Sequence, residues 1–227
     1  RTGGLYPDRL CLVAGDRLAR LIVSHLDDLR VEDLPRPFTA VATELSSGHE
    51  VWLNTGRLIE ALRASYALPG IFEPVRIGRR LLVDGALVDP VPVSVCRALG
   101  AELVIAVNLA SDTFAHGTVV QSPLLEESDD DVPVRDRAGR GLLRRFFGGT
   151  ADAPGLTAVM MESFNIIQDR ITRSRLAGDP PDVMIAPRLG HIGLFDFHRA
   201  REAIDIGRAA ADRALPEITE RIVETTR

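Results

Sequence analysis

The run LLVDGALVDP (81–90) ends an apolar stretch in Asp84, Gly85 and Ala86, and places a second carboxylate, Asp89, five residues further on. Two readings compete for Asp84. Asp-Gly after a strand is among the commonest turn signals, and the carboxylate then serves only nearby backbone. An Asp at the end of a core strand in an α/β sheet also lies where active sites gather. Gly85 lets the backbone turn sharply there and directs the carboxylate out of the sheet edge. Asp89 precedes Pro90, which favours an extended or capping role.

Other chemistry is narrowed by what the chain carries. All 27 basic residues are Arg, so a Walker A loop, a Schiff-base lysine and a Ser–Lys dyad are excluded within these residues. Cys11 and Cys96 have no C-x-x-C spacing, so they build neither a zinc knuckle nor a disulfide framework, and a reducing cytoplasm is the default location. Cys96, among Val93, Val95 and Leu99, reads as a small core residue. The five His residues (25, 49, 116, 191, 198) form no compact cluster, and a metal site on His191 and His198 lacks nearby Cys or acidic ligand spacing. Ser65 ends a helix one turn before Pro69-Gly70. As a nucleophile it lacks the strained elbow that would expose its oxygen, and a helix-end hydrogen bond suits it better.

The elements that must position these groups read as α/β. Hydrophobic residues make up 45% of the 227, enough for a sizeable core, while a net charge of −5 argues against general nucleic-acid affinity. No apolar run approaches the roughly 18 residues of a membrane-spanning helix. Asp16 is placed to cap a first helix. Residues 38–44 and 50–53 read as a hairpin around Ser-Ser-Gly-His. Thr55 caps a helix through Ser65, stopped by Pro69-Gly70. Residues 75–77 and 80–83 flank Gly78 as a second hairpin. Pro92 opens a helix ending near Gly100. The apolar run 102–109 shows no alternation and predicts a buried, parallel strand. Helical spacing resumes over 155–176, a strand follows at 182–187, Asp196 caps a closing helix, and Pro216 starts a last short one.

Three ordered segments carry a more specific signal: ALRASYALPGIFEPV (61–75), RRLLVDGALVDPVPV (79–93) and ALGAELVIAVNL (98–109). Together they resemble the bacterial branch of the patatin-like phospholipase family, with its A-x-x-A-S-x-x-x-P-G-x-F-x-P, D-G-[GA] and N/D-P-x-P pattern. Residues 178–207 resemble that branch's C-terminal part. The resemblance implies a three-layer α/β sandwich around a central, mostly parallel sheet, with residues 1–227 as one patatin-like domain. It implies an acyl hydrolase with a Ser–Asp dyad and no cofactor. Asp84 would be the general base, within the motif Asp84-Gly85-Ala86, and a phospholipid or other lipid ester the substrate.

The family's nucleophile sits in a G-x-S-x-G elbow after a Gly-rich oxyanion loop, and neither pattern occurs here. Both belong to the part of the domain that precedes the matching segments. The expectation is therefore a patatin-like domain without its N-terminal portion, inactive on its own. Residues 111–154 read as a charged surface loop or insertion. Within it, Leu142, Leu143, Phe146 and Phe147 share one helical face while Arg140, Arg144 and Arg145 fall on the other. That pattern suits contact with an anionic membrane surface, such as the inner face of the cell membrane. The bland alternative is a disordered loop whose acidic and basic halves pair. Two functions follow: a lipid acyl ester hydrolase completed by an upstream serine, or an inactive paralogue serving as a membrane- or protein-binding module.

Overall fold

The computed structural model describes residues 29–110, 156–193 and 196–226. The chain falls into two compact units. The first holds the residues up to Val104 together with Arg170–Pro180, and the second holds Ile105–Asp169 and Pro181 onward.

The first unit is built on a four-stranded antiparallel sheet. Its strands are β1 (Ala40–Glu44), β2 (Glu50–Leu53), β3 (Val75–Ile77) and β4 (Arg80–Asp84), in the order β2-β1-β4-β3. The two predicted hairpins are β1–β2 and β3–β4. Their links are too short for a crossover, so both pair antiparallel. Helix α1 (Leu58–Ser65) lies between them in sequence and covers the sheet. Ala42, Val51, Ala64 and Leu82 form one buried cluster, and Val31, Ala40, Leu58 and Ala61 another. Small residues at 61 and 64 let the helix approach the strands closely. Helix α2 (Val93–Ala98) follows the Asp84 turn.

The second unit contains β5 (Ile105–Val107) paired in parallel with β6 (Val183–Ile185), and the long helix α4 (Ala200–Thr225) packs on β6. Helix α3 (Leu156–Gly178) precedes β6, and its residues from Arg170 onward belong to the first unit. The class is mixed α/β, with antiparallel pairing in the larger described sheet and parallel pairing in the smaller. No described helix is long and apolar enough to cross a membrane.

Several local expectations change. The helix after residue 55 begins at Leu58, with Arg57 as its N-cap residue and no side-chain cap. Thr55 is passed over because Leu58 N–H donates instead to Leu29 O, a long-range partner. Strand β5 is not buried on both faces: Ala106 is buried while Ile105 and Val107 are 41% and 52% exposed. An unbroken apolar run does not reveal how many faces will be covered. Cys96 is exposed, as is Leu99 a turn further on, because successive residues on a helix face different ways and apolar neighbours in sequence do not imply burial. Asp196 spends its carboxylate on Gly193 N–H at 2.9 Å and leads into a 3-10 turn, Phe197–Arg199, rather than capping α4. Pro216 lies inside α4 rather than at the start of a separate helix, and its missing N–H removes one bond of the ladder.

Candidate active site

Asp84 is the last residue of β4 and N-caps a 3-10 turn, Gly85–Leu87. Three polar contacts fix it. Its N–H donates to Ala67 O at 3.0 Å, in the segment that follows α1. Its carbonyl accepts from Thr43 Oγ1 at 2.8 Å. Its Oδ1 accepts the Ala86 N–H at 2.8 Å. Among the described residues Oδ2 has no hydrogen-bond partner, so this is the oxygen left to take up a proton. The turn closes on itself, with Val88 N–H and Asp89 N–H both donating to Gly85 O.

Burial pushes the Asp84 carboxyl above the ordinary aspartate value, and the Ala86 N–H opposes that shift. Among the described residues no charged side chain contributes to it. A carboxylate raised in this way is a better proton acceptor than a solvated one, which is what a general base requires.

Gly85 is required for a reason other than the sharp turn read from sequence. Its φ is not positive. A Cβ at this position would lie 2.2 Å from Val41 O and 2.6 Å from Val41 C, both backbone atoms of the central strand. The glycine permits β1 to press against the turn. Thr43, 5% exposed, is the second anchor on that strand. Thr43→Val keeps the shape but leaves the Asp84 carbonyl without its donor, and is expected to destabilise by about 1–2 kcal/mol in urea unfolding. Thr43→Ser keeps the hydroxyl and is expected to retain most of that stability.

Asp89 is buried and does more than its place before Pro90 indicates. Its Oδ2 accepts from Ser94 Oγ at 3.3 Å and lies 4.0 Å from Arg175 Nη1. Burial raises its carboxyl, and Arg175 pulls it back down. Arg175 also donates from Nη2 to Glu50 Oε2 at 2.7 Å and from Nε to Val88 O at 3.1 Å. Sequence reasoning missed Thr43, Glu50 and Arg175. Arg175 stands 87 residues from Val88, and no local spacing connects them.

The remaining candidates separate. Ser65 is the last residue of α1, half-buried, two positions before the Ala67 carbonyl that holds Asp84. His191 Nε2 lies 3.0 Å from Glu202 Oε1, in an exposed group with Arg199. Arg199 and His191 together hold the Glu202 carboxyl down to about 2. His198 lies in the 3-10 turn before α4. Among the described residues no three His, Cys, Asp or Glu side chains gather as a metal site would need. Leu142, Leu143, Arg144, Arg145, Phe146 and Phe147 lie outside the described residues, as does the whole charged segment 111–154.

Comparison with known proteins agrees with the motif reading. Residues 2–97, which include Asp84, Gly85 and Ala86, match the family model described as patatin-like phospholipase. An uncharacterized NTE family protein of Mycobacterium tuberculosis (strain ATCC 25618 / H37Rv) is 33% identical over 251 residues, covering 90% of this chain and 69% of that relative. A second NTE family protein of the same strain is 31% identical over 209 residues, covering 90% of this chain and 33% of that longer relative. The patatin-like phospholipase domain-containing protein 7 of Rattus norvegicus is 33% identical over 86 residues, covering 37% of this chain and 6% of its own length. With the ordered motifs around Asp84 and a relative of this similarity spanning nine-tenths of the chain, the protein belongs to the patatin-like phospholipase family.

Proposed function

We propose that this chain is the base-bearing part of a hydrolase of lipid acyl esters, forming one patatin-like domain with the segment that precedes residue 1 in its reading frame. The observation that carries the reading is Asp84: a half-buried carboxylate with a raised proton affinity, held at three points, with Oδ2 left unbonded among the described residues. The attacking serine belongs on a Gly-flanked elbow in that preceding segment. Asp84 takes the Ser Oγ proton as the oxygen attacks the ester carbonyl, then returns it to the leaving alcohol. Water releases the acyl group in a second step, with Asp84 again accepting the proton. Lipid esters, phospholipid or lysophospholipid among them, are the substrate class that the family supports.

The test is direct. The gene product, with its upstream coding sequence, is treated with a fluorophosphonate probe and assayed on a long-chain p-nitrophenyl ester and on lysophospholipid. One labelled serine within a Gly-flanked elbow, loss of hydrolysis on labelling, and labelling unchanged by Ser65→Ala are expected. An upstream frame without such a serine, or a protein that neither labels nor hydrolyses, overturns the reading.

A second reading, a non-catalytic binding module at an anionic membrane, is favoured by the cationic, aromatic sequence of residues 135–149. It requires sedimentation with anionic vesicles that is lost when 135–149 is deleted. Unchanged sedimentation removes it.

A further inference from the structure

We propose that Arg175 is a positioning residue: it closes a ring of contacts that locks the turn carrying Asp84 against the central strands. The inference rests on the reading of Asp84 as the catalytic base.

The ring runs through named atoms. From Asp84 the chain enters the Gly85–Leu87 turn and reaches Val88, whose carbonyl accepts from Arg175 Nε at 3.1 Å. Arg175 Nη2 donates to Glu50 Oε2 at 2.7 Å. Glu50 is the register partner of Thr43 in the β1–β2 pair. Thr43 Oγ1 returns to the Asp84 carbonyl at 2.8 Å. The same guanidinium lies 4.0 Å from Asp89 Oδ2, at the far end of the turn. One planar, three-sided cation thus serves a carbonyl and two carboxylates at once, which a lysine ammonium on a flexible stem does poorly. It also separates Glu50 from Asp89, whose mutual repulsion raises the Asp89 carboxyl further.

The pH profile separates positioning from plain stability. The Arg175 side chain is 44% exposed, but the Glu50 and Asp89 carboxylates it serves are 17% and 2% exposed, so its removal leaves two shielded acids without their cation. Its loss is expected to lower stability and, separately, to free the turn. The Ala86 N–H, which lowers the proton affinity of Asp84, sits on that turn. Among the described residues, the carboxylates that Arg175 ties to this region are Asp89, just after the turn, and Glu50 on β2, and none of the three charges shifts Asp84 directly.

The experiment uses the full gene product with Arg175→Met, Arg175→Lys and Asp84→Asn. For Arg175→Met, a lower melting temperature with the fold retained is expected. Its kcat should fall about tenfold with KM within about twofold, and the acidic limb of kcat/KM should move to higher pH. Arg175→Lys, which keeps the charge but loses the fork, should fall between. Wild-type kcat and pH profile in Arg175→Met overturn the proposal. A loss of rate that merely follows a lower melting temperature, with the acidic limb in place, overturns it too. The functional reading fails separately, when Asp84→Asn hydrolyses as fast as wild type. The clamp is then judged by carbon-13 carboxyl NMR of Asp84: a titration moved upward by Arg175→Met supports it, and an unmoved one overturns it.

Discussion

Asp84→Asn is expected to lower kcat of the full gene product by about 10²–10⁴-fold, the range general-base catalysis contributes. The amide keeps the shape, and its oxygen can still accept the Ala86 N–H that Asp84 Oδ1 accepts at 2.8 Å. What it loses is the ability to take a proton, so KM should move little. Stability should move the opposite way. The folded-state proton affinity of Asp84 is raised, chiefly by burial. Ionised Asp84 therefore opposes folding, and wild type loses stability as pH rises from the ordinary aspartate value through the raised folded value. Asp84→Asn carries no such cost. Its melting temperature at neutral pH should equal or exceed that of wild type, and the difference should close as pH falls below the ordinary aspartate value of 3.8. In wild type the acidic limb of kcat/KM should lie above that value. An Asn variant that is both less active and less stable at neutral pH would mean that Asp84 is a structural turn residue rather than a base.

Gly85→Ala is expected to destabilise the first unit by on the order of 3 kcal/mol or more. The added methyl would meet Val41 O at 2.2 Å and Val41 C at 2.6 Å. Neither atom can swing aside like the end of a flexible side chain. Val41 lies in β1, which pairs with β2 on one side and β4 on the other, so the strand or the turn must give way. Either movement strains the Thr43 bond to Asp84 and reduces activity along with stability. Urea unfolding followed by circular dichroism reads the effect. A midpoint equal to that of wild type would show that turn and strand are not pressed together as described. Ala86→Gly provides a contrast: it removes one half-buried methyl and leaves the backbone approach intact.

Much of this unit was legible in advance. Both hairpins follow from β-prone runs around Ser-Ser-Gly-His and Gly78, and Gly48 and Gly78 adopt the positive φ such turns need, at 70° and 59°. Helix α1 and the Asp84 turn were legible for the same reason, since each is written in residues adjacent along the chain. The expectations that failed depended on partners far away. Thr55 lost its capping role to a backbone bond from Leu58 to Leu29, and Cys96 was judged by apolar sequence neighbours, of which Val93 and Val95 are buried while Leu99 is exposed as Cys96 is.

The sequence by itself determined the α/β class, the turn chemistry of Asp84-Gly85 and the family to which the chain belongs. These reside in short-range patterns: alternation, turn residues and ordered motifs. Only the tertiary structure decided why residue 85 is glycine and how Asp84 is held. Val41, Thr43, Glu50 and Ala67 reach the turn through strand register and helix packing, and Arg175 reaches it from 87 residues beyond Val88. Proton affinity and positioning depend on what surrounds a group in space, and those surroundings exist only once the strands have paired.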